Sequence, residues 1–390
     1  MPALPDRHGE PMESSKEASR VGRMMSALHS ETLPTRRGSR VEIVEYTKQD
    51  LEGLLADDFF WAQPRLPITK RRALSHIFNP RAEENDTVLI TASAEGQLIA
   101  YLGLLPDWWV QAGQAPIKFA WTSAWWVDKQ SKYRSSAAMI LLTALERYSN
   151  RIAGSSPSDQ ARRVGDASRQ FRYCVKFQGS YFVMAPPPSF RGLSSATKWF
   201  VSAKNRITFR TSLQERGLEI QTVDAFNAAA ESFINTQAVD DPFARDSKYW
   251  KWVLDYPWMS ATEEDKIAQE RYAFSVFAKD FRQIPMFVSR QGVFIAFFLM
   301  TVRDGRLILK YAYYAASDAV DVAIALQAVV AEINPWLFVC GDPVLNAAFK
   351  RSFRFYFARF TKSSTIYAAS GLPVSLGHHI HWGSGDLVFT

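Results

Sequence analysis

The sequence predicts an α/β (α+β) chain in which one unit of strands and helices is used twice. Three observations predict it. Strand-like alternation and helix-like periodicity interleave from about residue 41 to 370. Adjacent strand segments join across short turns, Glu95-Gly96 and Gln291-Gly292. The order of elements then recurs, with three short matches in the same order. Gly96-Gln97-Leu98-Ile99-Ala100-Tyr101 matches Gly292-Val293-Phe294-Ile295-Ala296-Phe297, Lys118-Phe119-Ala120-Trp121 matches Lys310-Tyr311-Ala312-Tyr313, and Phe171-Arg172-Tyr173 matches Phe353-Arg354-Phe355. The copies lie 196, 192 and 182 residues apart, close enough for an internal duplication.

Taken in order, residues 1–40 lack periodicity and are rich in Pro, Ser, Arg and Glu, which reads as a disordered leader. Val41 to Tyr46 alternates as a strand, and Thr47 is a candidate N-cap for a helix over Lys48 to Phe60. A second helix is expected over Ile68 to Phe78. Strands follow at Thr87 to Ala92, Gln97 to Leu105 and Ile117 to Val127. Arg134 to Tyr148 is a helix with an apolar face at Ala138, Leu141, Leu142 and Leu145. After a short strand at Arg151 to Ser155, Pro157 opens a helix near Ser158. A hairpin is expected from Arg172 to Phe177 and Ser180 to Ala185, turning at Gln178-Gly179. Residues 189–216 read as a linker with a helical stretch near Ser195 to Val201.

The second pass has a strand at Leu218 to Val223, a helix at Ala225 to Gln237 and a helix carrying Tyr249, Trp250 and Trp252. A hairpin, Met286 to Ser289 and Val293 to Val302, comes next. Leu307 to Tyr314 is a strand, Val320 to Ile333 a helix and Leu337 to Cys340 a strand. A helix at Pro343 to Ser352 and a strand at Ser364 to Ala368 complete it. The expected divisions are a leader (1–40), a first domain (41–188), a linker (189–216), a second domain (217–372) and a tail (373–390), and 390 residues suffice for two domains of ordinary size.

Composition narrows the classes. Hydrophobic residues are 47% and charged residues 22%, as in soluble globular proteins, and aromatics are high at 14%. Buried aromatics are usually core, and flat rings also line ligand sites. The net charge of +7 is spread along the chain, with no Lys/Arg block and no nucleic-acid motif. It suits a solvated basic surface or an anionic ligand such as a CoA diphosphate or a nucleotide-linked substrate. Cys174 and Cys340 lie in apolar strand-like runs and read as buried free thiols of a reducing compartment. No apolar run has the length of a membrane span and no secretory signal is visible, so a cytoplasmic protein is expected, with no nucleic-acid partner and no membrane insertion. His378-His379-Ile380-His381 has no Cys or acidic ligand at a metal spacing, and no metal is expected. Arg245 to Trp252 mixes charge with aromatics. Half-buried packing is the plain reading, with a sugar or nucleotide contact as the functional one.

The segment Trp125-Trp126-Val127-Asp128-Lys129-Gln130-Ser131-Lys132-Tyr133-Arg134-Ser135-Ser136-Ala137-Ala138-Met139-Ile140 leads from a strand into a helix through small residues. With the element order, it resembles the GNAT N-acetyltransferase family over residues 41–186 and again over 217–370. That resemblance implies two tandem domains, each with a mixed, mostly antiparallel central sheet flanked by helices. It also implies an acyl-CoA co-substrate, in the first place acetyl-CoA. In the family an Arg or Gln opens a Gly-rich turn where exposed amides and the helix dipole hold the CoA pyrophosphate. Arg134 stands at that Arg/Gln position, with Ser135, Ser136, Ala137, Ala138 and Met139 following and Trp126 and Val127 before. Ala137 and Met139 depart from the glycines of the pattern. The second copy, Ala315 to Asp321, has no basic residue and two carboxylates, so CoA binding is expected in the first unit alone.

The resemblance further implies direct attack of an amine on the thioester, the carbonyl being polarised by backbone N–H groups at a splayed strand end, here Trp125 to Val127. A family Glu acting as base has its counterparts at Trp121, Thr122 and Ser123, none acidic. Asp107, Asp240, Asp241 and Asp246 are read in loops able to reach a cleft, though the plain reading of each is an exposed loop carboxylate. The family's proton-donating Tyr has no counterpart in Ser155 to Arg169. The expected reaction is acyl transfer from CoA to a small-molecule amine, with an amino sugar of a bacterial glycan precursor, free or nucleotide-linked, as candidate acceptor. A FemABX-like aminoacyl transferase, and a non-catalytic binding protein on the same scaffold, are the alternatives.

Overall fold

The computed structural model describes residues 41–110, 114–133, 135–185, 206–243, 245–352, 356, 358–373 and 381–390. The expected leader, Arg134, the Ser195–Val201 helix, the Phe353–Phe355 match and His378-His379 lie outside the described residues.

Strand β1 is Glu42–Thr47, and Thr47 caps helix α1 (Lys48–Leu54) in a reciprocal capping box with Asp50. The single expected helix is two: Asp57 accepts from the Phe59 and Phe60 amides and starts α2 (Asp58–Ala62) afresh. Helix α3 is Lys70–Ile77, capped by Thr69. Strands β2 (Thr87–Ala94), β3 (Gln97–Trp109) and β4 (Ile117–Val127) form a meander. Helix α4 (Ser136–Arg147), strand β5 (Ile152–Ser155), helix α5 (Asp159–Ser168) and strand β6 (Phe171–Val183) follow. Residues 206–215 form helix α6.

The second half has β7 (Leu218–Thr222), α7 (Ala228–Gln237), α8 (Ser247–Asp255) and α9 (Glu263–Arg271). It continues with β8 (Phe281–Arg290), β9 (Val293–Arg303), β10 (Arg306–Tyr314), α10 (Ala319–Ile333), β11 (Leu337–Cys340), α11 (Pro343–Ser352) and β12 (Ala358–Ala369). Helix α9 was not anticipated, because it buries Asp265 in place of an apolar stripe. Its Thr262 N-cap and its first-turn acids Glu263, Glu264 and Asp265 are the signal that could have found it.

The two hairpins repeat one device. Glu95-Gly96 and Gln291-Gly292 both take left-handed backbone (φ 54° and 74°, 52° and 81°), as a turn matching the twist of the flanking strands requires. Each hairpin then bulges at the same distance from its turn, at Ile99 and at Ile295. The Lys118–Trp121 and Lys310–Tyr313 tetrapeptides, by contrast, do not occupy equivalent places. β4 last pairs with β5 at Thr122 and β10 last pairs with β11 at Leu309, so Lys118 lies before its junction and Lys310 just after.

All twelve strands form one sheet, in the order β1-β2-β3-β4-β5-β12-β6-β11-β10-β9-β8-β7. Every neighbouring pair is antiparallel except β4/β5 and β10/β11, so the pattern reads the same from either edge. The centre is an exchange. β12 pairs with β5 of the first half and β6 with β11 of the second, while β6 and β12 pair with each other from Phe171↔Ala369 to Val183↔Ala358.

This exchange corrects the expected hairpin over Gln178-Gly179: β6 runs straight through it. The extended chain finds hydrogen-bond partners on both sides, which a hairpin would forgo. Gly179 serves a close approach instead, since a Cβ there would meet the Trp382 ring at 2.5 Å. Trp382 also sits over Gly341, and the Gly383 amide donates to the Lys310 carbonyl at 2.9 Å.

Residues 381–390 are therefore not a peripheral tail. Ser384, Gly385, Val388 and Phe389 are buried. Phe389 stacks on Trp258 with centroids 4.6 Å apart, in the cluster that joins Trp109, Phe119 and Trp121 of the first half to Trp250, Phe297 and Tyr311 of the second. Truncating Phe389→Ala removes this fully buried ring and is expected to destabilise the protein by about 3–5 kcal/mol. A urea midpoint within error of wild type would show that the segment is not core.

Candidate functional site

β4 and β5 pair over only three positions, ending at Thr122↔Gly154, and then part. Where they part, β4 bulges: Trp126 faces Tyr101 and Ser123 faces Gly103, leaving Ala124 and Trp125 opposite one residue of β3. Ala124 has φ 55°, in the left-handed region. A bulge of this kind frees backbone groups from the ladder and re-aims side chains. Ala124 packs with the cluster containing Tyr101, Tyr272 and Phe274, and Trp125 with the one containing Val164 and Phe171. A cavity of about 380 Å³ occupies the gap and is lined from both sides of the sheet. Ser155 to Ser158, Ala161, Gly165, Phe171 and Tyr367 line one side; Arg72, Phe274, Ser275, Arg303, Asp386 and Leu387 line the other.

Helix α4 begins close by in the chain. Its N-cap, Ser135, makes no side-chain capping bond, its first turn carries no acid, and the Ser136 hydroxyl is buried without a partner. The Ser136 amide donates to the Tyr133 carbonyl and the Ala138 and Met139 amides to the Ser135 carbonyl, each at 3.0 Å, while no side chain or acid closes this end. The counterpart in the second half is closed. Asp318 and Asp321 stand at the start of α10, tied by Arg290 at 2.8 and 2.9 Å and, for Asp321, by Arg216 at 2.7 Å. The parting of β10 from β11 is itself filled by Trp382 and Gly383.

The residues singled out in the sequence fall as follows. Trp125 lines the cavity; Trp126, Val127, Ser123 and Asp107 do not. Trp126 stacks on Tyr101 with Arg65 over its ring, and Val127 packs in the cluster around α4. Ser123 is buried against Gly103, where a Cβ would lie 2.7 Å from its hydroxyl. Ser135, Ser136, Ala137, Ala138 and Met139 form the start of α4 without lining the cavity, which Leu141 from the next turn does.

Asp107 is a correction. It is on β3, 2% exposed, and its carboxylate is engaged: it accepts from Trp121 Nε1 at 2.7 Å, from the Trp108 amide at 2.8 Å and from Nη1 of the wholly buried Arg245 at 2.8 Å, with Arg245 Nη2 in ion-pair contact at 2.7 Å. A carboxylate so held has no lone pair for a substrate proton. Asp241 is likewise buried and accepts from the Tyr313 hydroxyl at 2.6 Å; burial raises its pKa against the opposing pull of Arg245. Asp246 caps α8 and pairs with Arg81. The Arg245–Trp252 segment packs half-buried, as expected: Tyr249, Trp250 and Trp252 are core while Lys248 and Lys251 are exposed.

Sequence reasoning missed Arg72, Ser155, Tyr367, Arg303 and Asp386. Arg72 is 5% exposed, lies 4.2 Å over the Trp258 ring, and its Nε has no partner. Tyr367 comes from β12, reaches the first half by the strand exchange, and donates to Asp166 at 2.6 Å. Asp386 accepts from the Ser155 hydroxyl at 2.6 Å. Burial raises its pKa, and the Ser155 bond and Arg72 oppose the rise. Lys310, buried nearby, donates to the Leu387 and Thr390 carbonyls and is brought down to about 7 by desolvation and by Arg303. The one available signal was the i, i+4 spacing of Arg72 and His76, which puts both on the buried face of α3. Among the described residues no cluster of His, Cys, Asp and Glu could hold a metal, and no helix is long and apolar enough to cross a membrane.

No family model matches the chain, and no curated protein matches it. Solved structures are similar in chain course. A GCN5-related N-acetyltransferase from Anabaena variabilis is 10% identical, with 84% of this chain and 72% of that one covered and a TM-score of 0.48. One from Kribbella flavida is 13% identical, with 84% and 71% covered and a TM-score of 0.43. Saccharomyces cerevisiae N-myristoyltransferase with bound myristoyl-CoA is 11% identical, with 92% and 89% covered and a TM-score of 0.42. Likeness of this depth does not carry function, which has to be read from the site.

Two outcomes follow from the buried charges. Asp107→Ala strands the Arg245 guanidinium and is expected to lower stability by about 3–5 kcal/mol, with Asp107→Asn/Arg245→Met costing less than the single charge loss; unfolding curves of the three proteins decide this. His76 is 1% exposed, and burial, then Arg72, bring its pKa down to about 3. Its folded pKa lies below the unfolded value, so its contribution is intact above about pH 6.5 and is lost as pH falls towards 3. Between pH 6 and 4.5 stability should drop by about 1.4 kcal/mol per unit, and the slope should flatten in His76→Gln.

Proposed function

We propose that this protein is an acyl-CoA-dependent N-acyltransferase with a single working site, at the parting of β4 and β5. The observation that carries the reading is the bulge at Ala124-Trp125 opening on a cavity that reaches both faces of the sheet. Two reactants can enter such a passage from opposite sides and meet beside free backbone amides. The acyl-CoA takes the side lined by Ser156, Ser158, Ala161 and Gly165, with its linked phosphates towards the uncapped start of α4, which Arg134 precedes in the sequence. Small residues there leave room for the pantetheine arm. The amine takes the side of Arg72, Phe274 and Asp386.

In this reading the bulge amides around Trp125 donate to the thioester carbonyl as charge develops on its oxygen. The acceptor nitrogen attacks the carbonyl carbon, the C–S bond breaks, and the sulfur leaves as thiolate. Asp386, whose pKa is raised by burial, takes the proton that the ammonium must lose. Ser155 orients that carboxylate. The second half acts as a wall: its own parting is plugged by Trp382 and its helix start by Asp318 and Asp321. The matched hairpin turns and bulges support a tandem origin for the two halves. Acetyl-CoA is the proposed donor, and a polar amine such as an amino sugar the proposed acceptor.

Calorimetric titration with acetyl-, butyryl- and myristoyl-CoA tests the donor and its chain length together. A ligand that binds the folded state adds about 2.7 kcal/mol of stability at a hundred times its Kd, so the melting temperature should rise with it. Arg134→Glu should abolish the rise. With an accepted amine, Asp386→Asn should lower kcat by about 10²–10⁴ while leaving donor affinity unchanged. Absence of binding by every CoA ester would remove the reading.

A further inference from the structure

The acceptor side of the cavity carries two guanidiniums. Arg72 and Arg303 both line it, and Asp386 is the one side-chain carboxylate among its lining residues. Neither guanidinium has a carboxylate of a described residue within ion-pair distance, whereas most other ordered arginines on this half of the fold do, as with Arg216, Arg282 and Arg290. Arg72 is more than nine-tenths buried. It is held in place by the Trp258 face at 4.2 Å and the Tyr272 face at 5.1 Å and by one long bond, 3.4 Å, to the Ser275 carbonyl. Its Nε–H is left without a partner. Stacking fixes the plane of a guanidinium but satisfies none of its five donors. Asp386 accepts from Ser155 and is near enough to Arg72 to feel its charge, but it is in ion-pair contact with neither arginine. Nearby Lys310 adds no free charge, because its ammonium donates to the Leu387 and Thr390 carbonyls.

A fixed, buried and under-satisfied guanidinium facing a cavity is costly unless something anionic completes it. Arg303 approaches the same cavity from the end of β9, on a different element from Arg72 on α3. Two donors from two elements make a clamp for a group with at least two acceptor oxygens. We propose that the acceptor carries, beside its amine, a compact oxyanion, carboxylate or phosphate, which Arg72 and Arg303 hold while Asp386 faces the ammonium. The inference rests on the acyltransfer reading for the role of the amine, but the anion site stands independently of it. It also narrows the acceptor class: a neutral amino sugar leaves the clamp empty, whereas an amino acid, an aminouronate or an amino-sugar phosphate fills it.

The test is a titration of the full chain with three small amines of similar size: glycine for the carboxylate, phosphoethanolamine for the phosphate, and ethanolamine as the neutral reference. Each is measured with and without saturating CoA. One of the anionic amines should bind at least tenfold more tightly than ethanolamine, with affinity falling as salt is raised. The arm that wins identifies the oxyanion. Arg303→Gln, at a half-exposed position expected to keep the fold, should cut the preference several-fold. Arg72→Gln should abolish it and Arg72→Lys restore part of it, each judged on protein with wild-type circular dichroism. Equal affinity for the three amines, or a preference unchanged in Arg303→Gln and in folded Arg72→Gln, overturns the proposal. Acetyl-CoA binding without any anionic preference rejects the clamp alone. Anionic preference without binding of any CoA ester rejects the acyltransfer reading and leaves the clamp.

Discussion

The ladder between β6 and β12 is the constraint on which the rest of this molecule depends. It pairs the last strand of each half with the other half along almost its full length. Without it, the sheet would split in two, one part ending at β12 beside β5 and the other at β6 beside β11. The exchange also sets where the core lies. The cluster running from Trp109 and Trp121 to Trp250 and Phe389 belongs to neither half.

That shared core explains an unusual tolerance for buried charge. Asp107 and Arg245 come from opposite halves and meet with no solvent between them. Burying such a pair is expensive, and Trp121 and the Trp108 amide offset part of the cost by completing the carboxylate, although Arg245 Nε and Nη2 have no hydrogen-bond partner. Buried pairs of this sort favour one arrangement of the halves over alternatives, because a slipped interface would strand both ions. The cavity stands in contrast. There Arg72 has aromatic faces but few acceptors, and Asp386 is held by a single hydroxyl. A buried guanidinium with its own carboxylate in one place, and one without in the other, sets the two regions apart.

Much of the fold was legible in the sequence, because local signals agreed with the global outcome. Thr47 caps its helix and Glu95-Gly96 and Gln291-Gly292 turn as expected. What failed were signals with two physical causes. Gly179 was read as a turn and is needed for Trp382. Asp107 was read as an exposed loop acid because nothing local shows that Arg245, far along the chain, will cover it. The site was legible only on its strand-to-helix side, where Trp125 and the start of α4 are contiguous. Its other wall is gathered from α3, β9, β12 and the segment near Asp386, and no spacing rule connects residues so distant.

The strand exchange has a consequence for how the chain reaches this state. β6 is synthesised long before β12, its principal neighbour, and before β11, its other one. Until both emerge, the first half presents open strand edges at β5 and β6, each able to pair with another chain. The order of contacts is therefore strongly non-local, which slows folding and prolongs that exposure. A first half without β12 is therefore an unfinished sheet, and the same exchange is the element that two chains made side by side would trade in a domain swap.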